Sequence, residues 1–543
     1  EQGRQCLAMA LVSHHQTRLR GEGAGDLAGR EGTVEIGSYS GDNVVYRHGP
    51  LRLTEDRRHF QHADGEPFFW LADTWWMGLS RRLSWPEGFQ TLAADRREKG
   101  FTVIQIVGGL PPDMTPLDER GAGDGGQAWT ENFEHIRPEF YNEADQLIQY
   151  LVEEGFVPCI VAAWKNYLPV LGPERMKRHW RNLVARYGAY PVVWIVGGEI
   201  NKTKGNPTFM GDHEPGMEQT EEAFRAGWLE VARYLHEVDP YDRLVGAHNQ
   251  NDYDVIDDPT VLDMYFLQTG HSALPSISAQ IEWFRDHIRA DHLAPMVMSE
   301  ANYQWLFHEG SYDNQIQRHQ FWATLLEGGA GHTYGANGIW QVNTEDRPFG
   351  PSPHGFVWGN TPWSVAMNHE ASRQLGLGKA FLETLPWREM VPTSGQATFA
   401  DLDLPPIEET GARWIWSDGA KVSEQLIGTE FELPGDIEIR RAVLRIACDV
   451  RYALSMNGQM VHRRTKLDYR HGLKHEDEWL FPLAGEYLRG GWNTLKLELE
   501  DEDVEAGKGL IAHLRVEATD GSTIDLVSDE TWRWVYPGVG WPG

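Results

Sequence analysis

The feature that most constrains the fold of this chain is an alternation, repeated eight times, of short apolar runs with segments of helical periodicity. Each run has four to eight residues, the length of a buried strand. Strands that alternate with helices predict a parallel sheet, and eight such units are the number at which that sheet closes into a barrel. The runs are residues 68–72, 101–107, 157–163, 192–196, 244–247, 262–267, 295–298 and 330–334.

Capping signals mark where the helices between these runs begin and end. Ser84 and Glu87 have the spacing of a capping box, with Pro86 in the first turn, and Gly100 provides a left-handed stop. Gly155 and Gly188 end two further segments of helical periodicity in the same way. We therefore expect an α/β protein with a (β/α)8 barrel, in which residues 61–400 form the barrel domain.

The two ends of the chain have a different texture. Residues 1–60 form a lead-in of Gly-rich and charged stretches with short strand-like pieces at 33–36, 44–47 and 51–54. Beyond residue 400 the period becomes two, as in the alternating Leu495, Leu497 and Leu499. Turn dipeptides separate strand-like runs there, at residues 457–458 and 520–521. We expect residues 401–543 to form an all-β sandwich of the jelly-roll type.

Charge and cysteine content exclude several classes of function. Lys and Arg number 49 against 80 Asp and Glu, a net charge of −31 that repels nucleic acid and anionic lipid surfaces. No apolar stretch has the ~18 residues of a membrane span, so we expect a soluble protein. Three widely spaced cysteines fit neither a disulfide framework nor a zinc site. We expect no metal and no cofactor, and the composition leaves the compartment and the oligomeric state open.

Two glutamates are the candidate catalytic residues. Reactive groups of a (β/α)8 barrel lie at the carboxyl ends of its strands, and Glu199 and Glu300 follow the fourth and seventh apolar runs directly. One protonated and one ionised carboxyl group facing the same pocket can cleave a glycosidic bond. The alternative is that either residue is an ordinary acid in a salt bridge, in a chain that has many acids.

The chemistry assigns a role to each glutamate. Glu199 would protonate the leaving oxygen and then deprotonate water, while Glu300 would attack the anomeric carbon. This retaining mechanism needs carboxyl groups roughly 5 to 5.5 Å apart, whereas inversion needs roughly 6.5 to 9.5 Å. Spacing in the sequence does not distinguish the two.

The residues around the first two runs resemble a known family. Residues 67–76 (PFFWLADTWW), 82–84 (RLS) and 99–105 (KGFTVIQ) are similar to the opening of the apiosidase-like glycoside hydrolases, family 140, over about residues 48–390. The resemblance implies a clan-A barrel with the acid/base on strand four and the nucleophile on strand seven, which matches Glu199 and Glu300. It also implies exo-acting release of a terminal sugar, with apiose on a pectin side chain as the most specific substrate. Long insertions at 111–137 and 201–220 are candidates to wall off such a pocket.

Two positions depart from the family's pattern. Many clan-A enzymes have Asn before the acid/base, but this chain has Gly198. The resemblance also suggests Asp at the acid/base position, where this chain has the longer Glu199. We expect the pocket or the sugar to differ accordingly.

Further polar and aromatic residues at the predicted strand ends are candidates to contact sugar hydroxyls or to stack on sugar rings. For Asp73 the alternative is that it caps the following loop, and for the others it is a structural hydrogen bond or core packing. Tyr265, His271 and Tyr303 are equally candidates to orient Glu300. The candidate substrate-binding residues are Asp73, Gln105, Trp164, Lys165, Asn201, His248, Asn249, Gln268, Tyr303, His332 and Trp340.

The C-terminal region carries a second, shorter resemblance. Residues 414–418 (WIWSD) and 451–458 (RYALSMNG) are similar to galactose-binding-like jelly rolls found beside rhamnosidase domains. This implies either carbohydrate binding or a domain that buttresses the barrel. The sequence thus favours a retaining glycoside hydrolase that acts on a carbohydrate. The alternatives are a glycosidase of another sugar specificity, a transglycosidase and a non-catalytic carbohydrate-binding protein.

Overall fold

The structure is a computed structural model, and its chain divides into two compact units, residues 1–394 and 395–543. It describes residues 16–20, 31–35, 39–200, 221–250, 258–287, 294–353, 355–392, 405–415, 425–448, 451–463, 479–483, 487–500 and 509–535.

The first unit is built around a closed barrel of eight parallel strands. Each of the eight predicted runs contributes one strand, so the predicted fold class is confirmed. The barrel strands are β6 (Trp70–Trp75), β7 (Val103–Leu110), β8 (Val157–Ala163), β9 (Val193–Gly198), β10 (Val245–Gln250), β11 (Met264–Gln268), β12 (Met296–Glu300) and β13 (Gly331–Tyr334).

Helices follow these strands. The longer ones are α2 (Glu87–Glu98), α3 (Pro138–Glu153), α4 (Tyr167–Tyr187), α5 (Glu221–Val238), α6 (Leu274–His287), α7 (Asn314–Leu326) and α9 (Glu370–Leu382), and α8 (Trp363–Ala366) is a single turn. Helix α2 begins at Glu87 rather than beside Ser84, whose hydroxyl accepts a bond from the Gly88 amide. Gly100 has φ +83°, the left-handed stop that the sequence predicts. None of the described helices is both long and apolar enough to cross a bilayer.

Short elements precede the barrel. Strands β1 (Gln16–Arg20) and β2 (Glu31–Glu35) pair with each other, and β3 (Leu51–Leu53), β4 (Phe60–His62) and β5 (Pro67–Phe68) form a three-stranded sheet. The strand predicted at 44–47 is wrong, because Val44–His48 is helix α1. Asn43 caps this helix by accepting hydrogen bonds from the backbone amides of Val45 and Tyr46. The β-branched valines favour a strand and give no sign of this cap.

Irregular register at the carboxyl ends of two barrel strands sets the direction of the following side chains. Gly246 pairs with Ile195 but His248 pairs with Gly198, so β9 carries one extra residue. Leu267 pairs with Met298 but Gln268 pairs with Glu300, so β12 also carries one. A bulge shifts the alternation of side chains and re-aims the residues beyond it.

The second unit consists of two antiparallel sheets. Its strands are β14 (Gln425–Leu433), β15 (Ile439–Cys448), β16 (Arg451–Met456), β17 (Gln459–Arg463), β18 (Trp479–Leu483), β19 (Gly491–Glu500), β20 (Leu510–Ala518), β21 (Thr523–Val527) and β22 (Arg533–Val535). The five-stranded sheet has the order β17, β16, β19, β14 and β22, and the four-stranded sheet has the order β18, β15, β20 and β21. Asn457 and Gly458 form the tight turn between β16 and β17 with φ values of +52° and +78°, as predicted.

Candidate active site

Glu300 lies at the end of β12 and is held by several hydrogen-bond donors. Its Oε1 accepts a bond of 2.5 Å from the Gln268 amide and lies 3.0 Å from His271 Nε2. Its Oε2 lies 3.5 Å from His248 Nε2. The side chain is only 6% exposed. These donors fix the orientation of a carboxyl group that is almost fully buried, as a nucleophile requires.

The tautomer of His271 follows from its neighbours. Its Nδ1 accepts a hydrogen bond of 3.3 Å from the backbone amide of Tyr303. The proton of the neutral ring is then on Nε2, which donates to Glu300. The Tyr303 ring packs against His271 at 4.5 Å between centroids. His271 is thus positioned as a fixed donor to the carboxylate.

Tyr303 brings its hydroxyl to the same carboxylate. Burial, and secondarily the negative charge of Glu300, raise the pKa of Tyr303 well above its ordinary value, so the phenol keeps its proton. The hydroxyl accepts a bond of 2.8 Å from the Trp76 indole, and the Tyr303 ring packs on His271, which donates to Glu300. Trp76, from the loop after β6, therefore belongs to the site.

Glu199 follows β9 in a different setting. Its φ is +53°, a left-handed conformation that is uncommon for a residue with a side chain and is typical of functional turns. Its Oε2 lies 3.1 Å from the Lys165 ammonium group, and the Glu199 side chain is 13% exposed. The Lys165 amide also donates to the Gly198 carbonyl at 2.9 Å, which ties the loop after β8 to the end of β9.

Aromatic and histidine rings connect the two glutamates across the barrel mouth. The Trp164 ring lies 5.4 Å from the His248 ring, and His248 faces Glu300. A Cβ at position 198 would lie 2.1 Å from the Trp164 indole, so Gly198 makes room for that ring. Trp164 thus fills the space that Asn would take at position 198 in many clan-A enzymes. Both carboxyl groups lie at the same barrel mouth. Glu300 accepts hydrogen bonds from side-chain donors, and Glu199 lies beside the Lys165 ammonium group.

Four predicted substrate-binding residues lie away from this mouth. Side chains alternate along a strand, so Asp73 and His332 point toward the helices, where they contact Arg96 and Thr324. Asn249 follows the inward-facing His248 and by the same alternation faces outward. Gln105 lies inside the barrel but is fully buried, and its amide donates to the Ser299 carbonyl.

The environments of these residues argue for structural roles instead of substrate contacts. Asp73 is fully buried and forms an ion pair of 2.6 Å with Arg96, and it also accepts a bond of 2.8 Å from the Trp75 indole. Burial lowers the pKa of His332 to about 3, so this ring stays neutral. The sequence places these residues at the ends of apolar strands, but it does not show whether each side chain faces the inside of the barrel or the helices.

The remaining predicted residues fall into three groups. Trp164, Lys165, His248, Gln268 and Tyr303 come together around the two glutamates. Trp340 lies next to them, with its ring 6.1 Å from that of Tyr303. Tyr265 packs against Trp283 outside the barrel rather than orienting Glu300. Asn201 lies outside the described residues.

Trp76 is the site residue that the sequence analysis overlooks. The sequence signal that could have identified Trp76 is its position, directly after Asp73, Thr74 and Trp75 at the end of a barrel strand. Within the described ranges, no group of three His, Cys, Asp or Glu side chains is arranged to hold a metal ion.

Comparisons with known proteins agree with this geometry. Residues 54–389 match the family model described as the apiosidase-like catalytic domain. A solved structure described as a glycoside hydrolase is 16% identical with a TM-score of 0.53, over 84% of this chain and 98% of that one. A glycoside hydrolase family 5 structure from Bacteroides vulgatus ATCC 8482 is also 16% identical with a TM-score of 0.54, over 86% of this chain and 96% of that one. At such identities the structural likeness shows the fold alone.

Other comparisons add little. A rhamnosidase from Streptomyces avermitilis is 24% identical over 23% of this chain and 12% of its own, with a TM-score of 0.20 that identifies no domain. No curated protein is significantly similar in sequence. The family match covers more than half of the chain and the whole barrel, so this chain belongs to the apiosidase-like family and is a glycoside hydrolase with a closed barrel of eight parallel strands.

Proposed function

We propose that the protein is a retaining, exo-acting glycoside hydrolase of family 140 with Glu300 as the nucleophile and Glu199 as the acid/base. One observation carries the proposal: two carboxyl groups lie at one barrel mouth in contrasting environments. Glu300 accepts bonds from Gln268 and His271, whereas Glu199 lies beside the Lys165 ammonium group. Different environments are what separate a nucleophile from an acid/base.

The reaction then runs in two steps. Glu300 attacks the anomeric carbon while Glu199 gives its proton to the leaving oxygen, which breaks the glycosidic bond and forms a glycosyl ester. Glu199, now ionised beside Lys165, takes a proton from water as that water attacks the same carbon. The ester breaks, Glu300 leaves as a carboxylate, and the sugar keeps its original anomeric configuration.

The proposed substrate is a glycan with a terminal apiose, of the kind found on pectin side chains. Membership of the apiosidase-like family supports the sugar class. The insertion 111–137 supports a walled pocket, because Arg120 donates to the carbonyls of Phe349 and Pro351 at 3.0 Å each and so anchors the loop that follows β13. The other proposed wall, 201–220, lies outside the described residues.

The test is a screen of aryl pentosides and hexosides together with apiose-bearing oligosaccharides. The first product of each active substrate is identified by proton NMR before mutarotation. We expect release of a terminal sugar with retained configuration. First appearance of the inverted anomer contradicts retention, and internal cleavage alone contradicts exo action. Binding without turnover favours a carbohydrate-binding protein, and excess transfer product favours a transglycosidase.

A further inference from the structure

A row of aromatic side chains leads from the candidate active site to the protein surface. Tyr303, whose ring packs on His271 beside Glu300, lies 6.1 Å from Trp340 between ring centroids. Trp340 lies 6.4 Å from Trp358, and Trp358 stacks on Phe356 at 5.4 Å with an interplanar angle of 26°. Phe307 lies 5.4 Å from Trp358 on the same surface. We call Phe307, Phe356 and Trp358 the aromatic platform.

The platform is open to solvent where a core cluster would be covered. Phe356 is 52% exposed and its neighbour Val357 is 50% exposed, while Phe307 and Trp358 are half-buried. Stacked aromatic rings at the surface of a protein are costly to leave in water and commonly mark a binding surface. Their continuity with Trp340 and Tyr303 connects this surface to the catalytic mouth.

The platform is also held rigidly. The Phe307 amide donates to the Trp358 carbonyl at 3.0 Å, which ties the loop after β12 to the loop after β13. Ser352 donates its amide to the Phe356 carbonyl at 2.9 Å, and Asn343 donates to the Gly359 carbonyl at 3.2 Å. A fixed aromatic surface binds a ring without the entropic cost of ordering a loop.

Two further observations point to a polar ligand with apolar faces. The Trp358 indole N–H is buried and has no hydrogen-bond partner within the described part of the chain, so a donor is available beside the rings. Trp305 and Phe307 have φ values of +61° and +73°, a left-handed backbone that is unusual for bulky residues and concentrates at functional sites.

We infer that the aromatic platform is a second sugar-binding subsite, which holds the sugar ring adjacent to the one that is released. A sugar ring presents C–H faces that stack on aromatic rings and hydroxyl groups that accept from an indole N–H. The inference rests on the proposed function and deepens it: the substrate is an oligosaccharide, and its second ring contributes to binding and turnover. Because a terminal sugar is released, this second ring lies on the leaving-group side of the cleaved bond.

The test compares a glycosyl fluoride, which has no ring on the leaving-group side, with an oligosaccharide that ends in the same sugar. Phe356→Ala is the first variant, because its exposed side chain carries little folding energy, and Trp358→Ala is the second. Phe356→Tyr keeps the stacking surface. The matched control is Phe381→Ala, since Phe381 on α9 is similarly exposed at 57%.

We expect Phe356→Ala to lower kcat/KM for the oligosaccharide by about 10-fold, the equivalent of one stacking contact, and to leave the glycosyl fluoride unchanged. Phe356→Tyr should restore most of the loss, and Phe381→Ala should change neither substrate. Equal effects on both substrates, or no effect of either platform variant on the oligosaccharide, would overturn the subsite. Failure of the proposed function is distinct, since the glycosyl fluoride would then show no glutamate-dependent turnover at all.

Discussion

The two catalytic candidates are at the same barrel mouth but are held in opposite ways. Glu300 lies at the end of β12, beyond a bulge, and is fixed by donors from β11 and from the loop that follows β11. Glu199 lies on left-handed backbone, and its carboxylate is beside the Lys165 ammonium group. The contacts of Glu300 fix the position of its carboxylate oxygens. The lysine beside Glu199 stabilises the ionised form of a group that must both give and take a proton.

This contrast shows how one fold can give two chemically identical side chains different roles in a reaction. A nucleophile needs one geometry throughout the reaction, so multiple short hydrogen bonds suit it. An acid/base alternates between charge states, so greater exposure suits it, and a nearby cation stabilises the ionised form that acts as the base in the second step. The predictions below test whether the contrast is functional.

The largest effect is expected at Glu300. Glu300→Gln keeps the shape but removes the nucleophilic oxygen, and we expect kcat to fall by about 10⁴-fold or more. The measurement is steady-state turnover of the best aryl glycoside. Glu98→Gln is the control, because Glu98 is an exposed carboxylate at the far end of α2. Substantial residual activity would mean that the nucleophile is another group.

Glu199→Gln should have an effect that depends on the leaving group. We expect a loss of about 10²- to 10⁴-fold for a sugar leaving group, since protonation of the oxygen is lost. A 2,4-dinitrophenyl leaving group needs no proton and should react in the first step at nearly the normal rate, which pre-steady-state kinetics can measure. An equal loss with both leaving groups would remove the acid/base role.

A substitution of Asp73 tests whether a third carboxylate takes part in catalysis. Asp73→Asn breaks a fully buried ion pair with Arg96, and we expect a loss of about 3 to 5 kcal/mol in unfolding free energy. Denaturant unfolding measures it. The fraction that remains folded should have nearly normal kcat, because Asp73 faces the helices. A large loss of kcat with intact stability would return Asp73 to the site.

His271→Ala removes one donor from the nucleophile without removing the nucleophile itself. We expect kcat to fall by about 10- to 100-fold with little change in KM, since the lost bond positions Glu300 rather than binding substrate. Circular dichroism checks that the fold is kept. A change confined to KM would instead make His271 a substrate contact.

The smallest effect is expected at Lys165, and it concerns pH. The ammonium group favours ionised Glu199, so Lys165→Met should let Glu199 keep its proton to higher pH. The alkaline limb of the kcat/KM profile should then move to higher pH. Lys165→Arg keeps the charge and should leave the limb in place, and a downward shift in Lys165→Met would contradict the pairing.

The barrel could be predicted because burial on both faces of a strand leaves a continuous apolar run in the sequence. All eight runs, and the glutamates that follow two of them, are visible in that pattern. The direction of individual side chains is not. Asp73 and His332 occupy strand-end positions like those of Gln268, yet they face the helices, and the bulges at β9 and β12 depend on pairing between distant strands. The helix at Val44–His48 likewise depends on one cap.

The assignment of roles to Glu300 and Glu199 is tested most directly by azide rescue of two alanine variants, with a 2,4-dinitrophenyl glycoside of the preferred sugar. In Glu300→Ala, azide should replace the missing nucleophile and give a glycosyl azide of inverted configuration. In Glu199→Ala, azide should intercept the glycosyl ester and give the retained configuration. The opposite pairing of variants and products would exchange the two roles, and unrescued wild-type turnover by Glu300→Ala would contradict the mechanism.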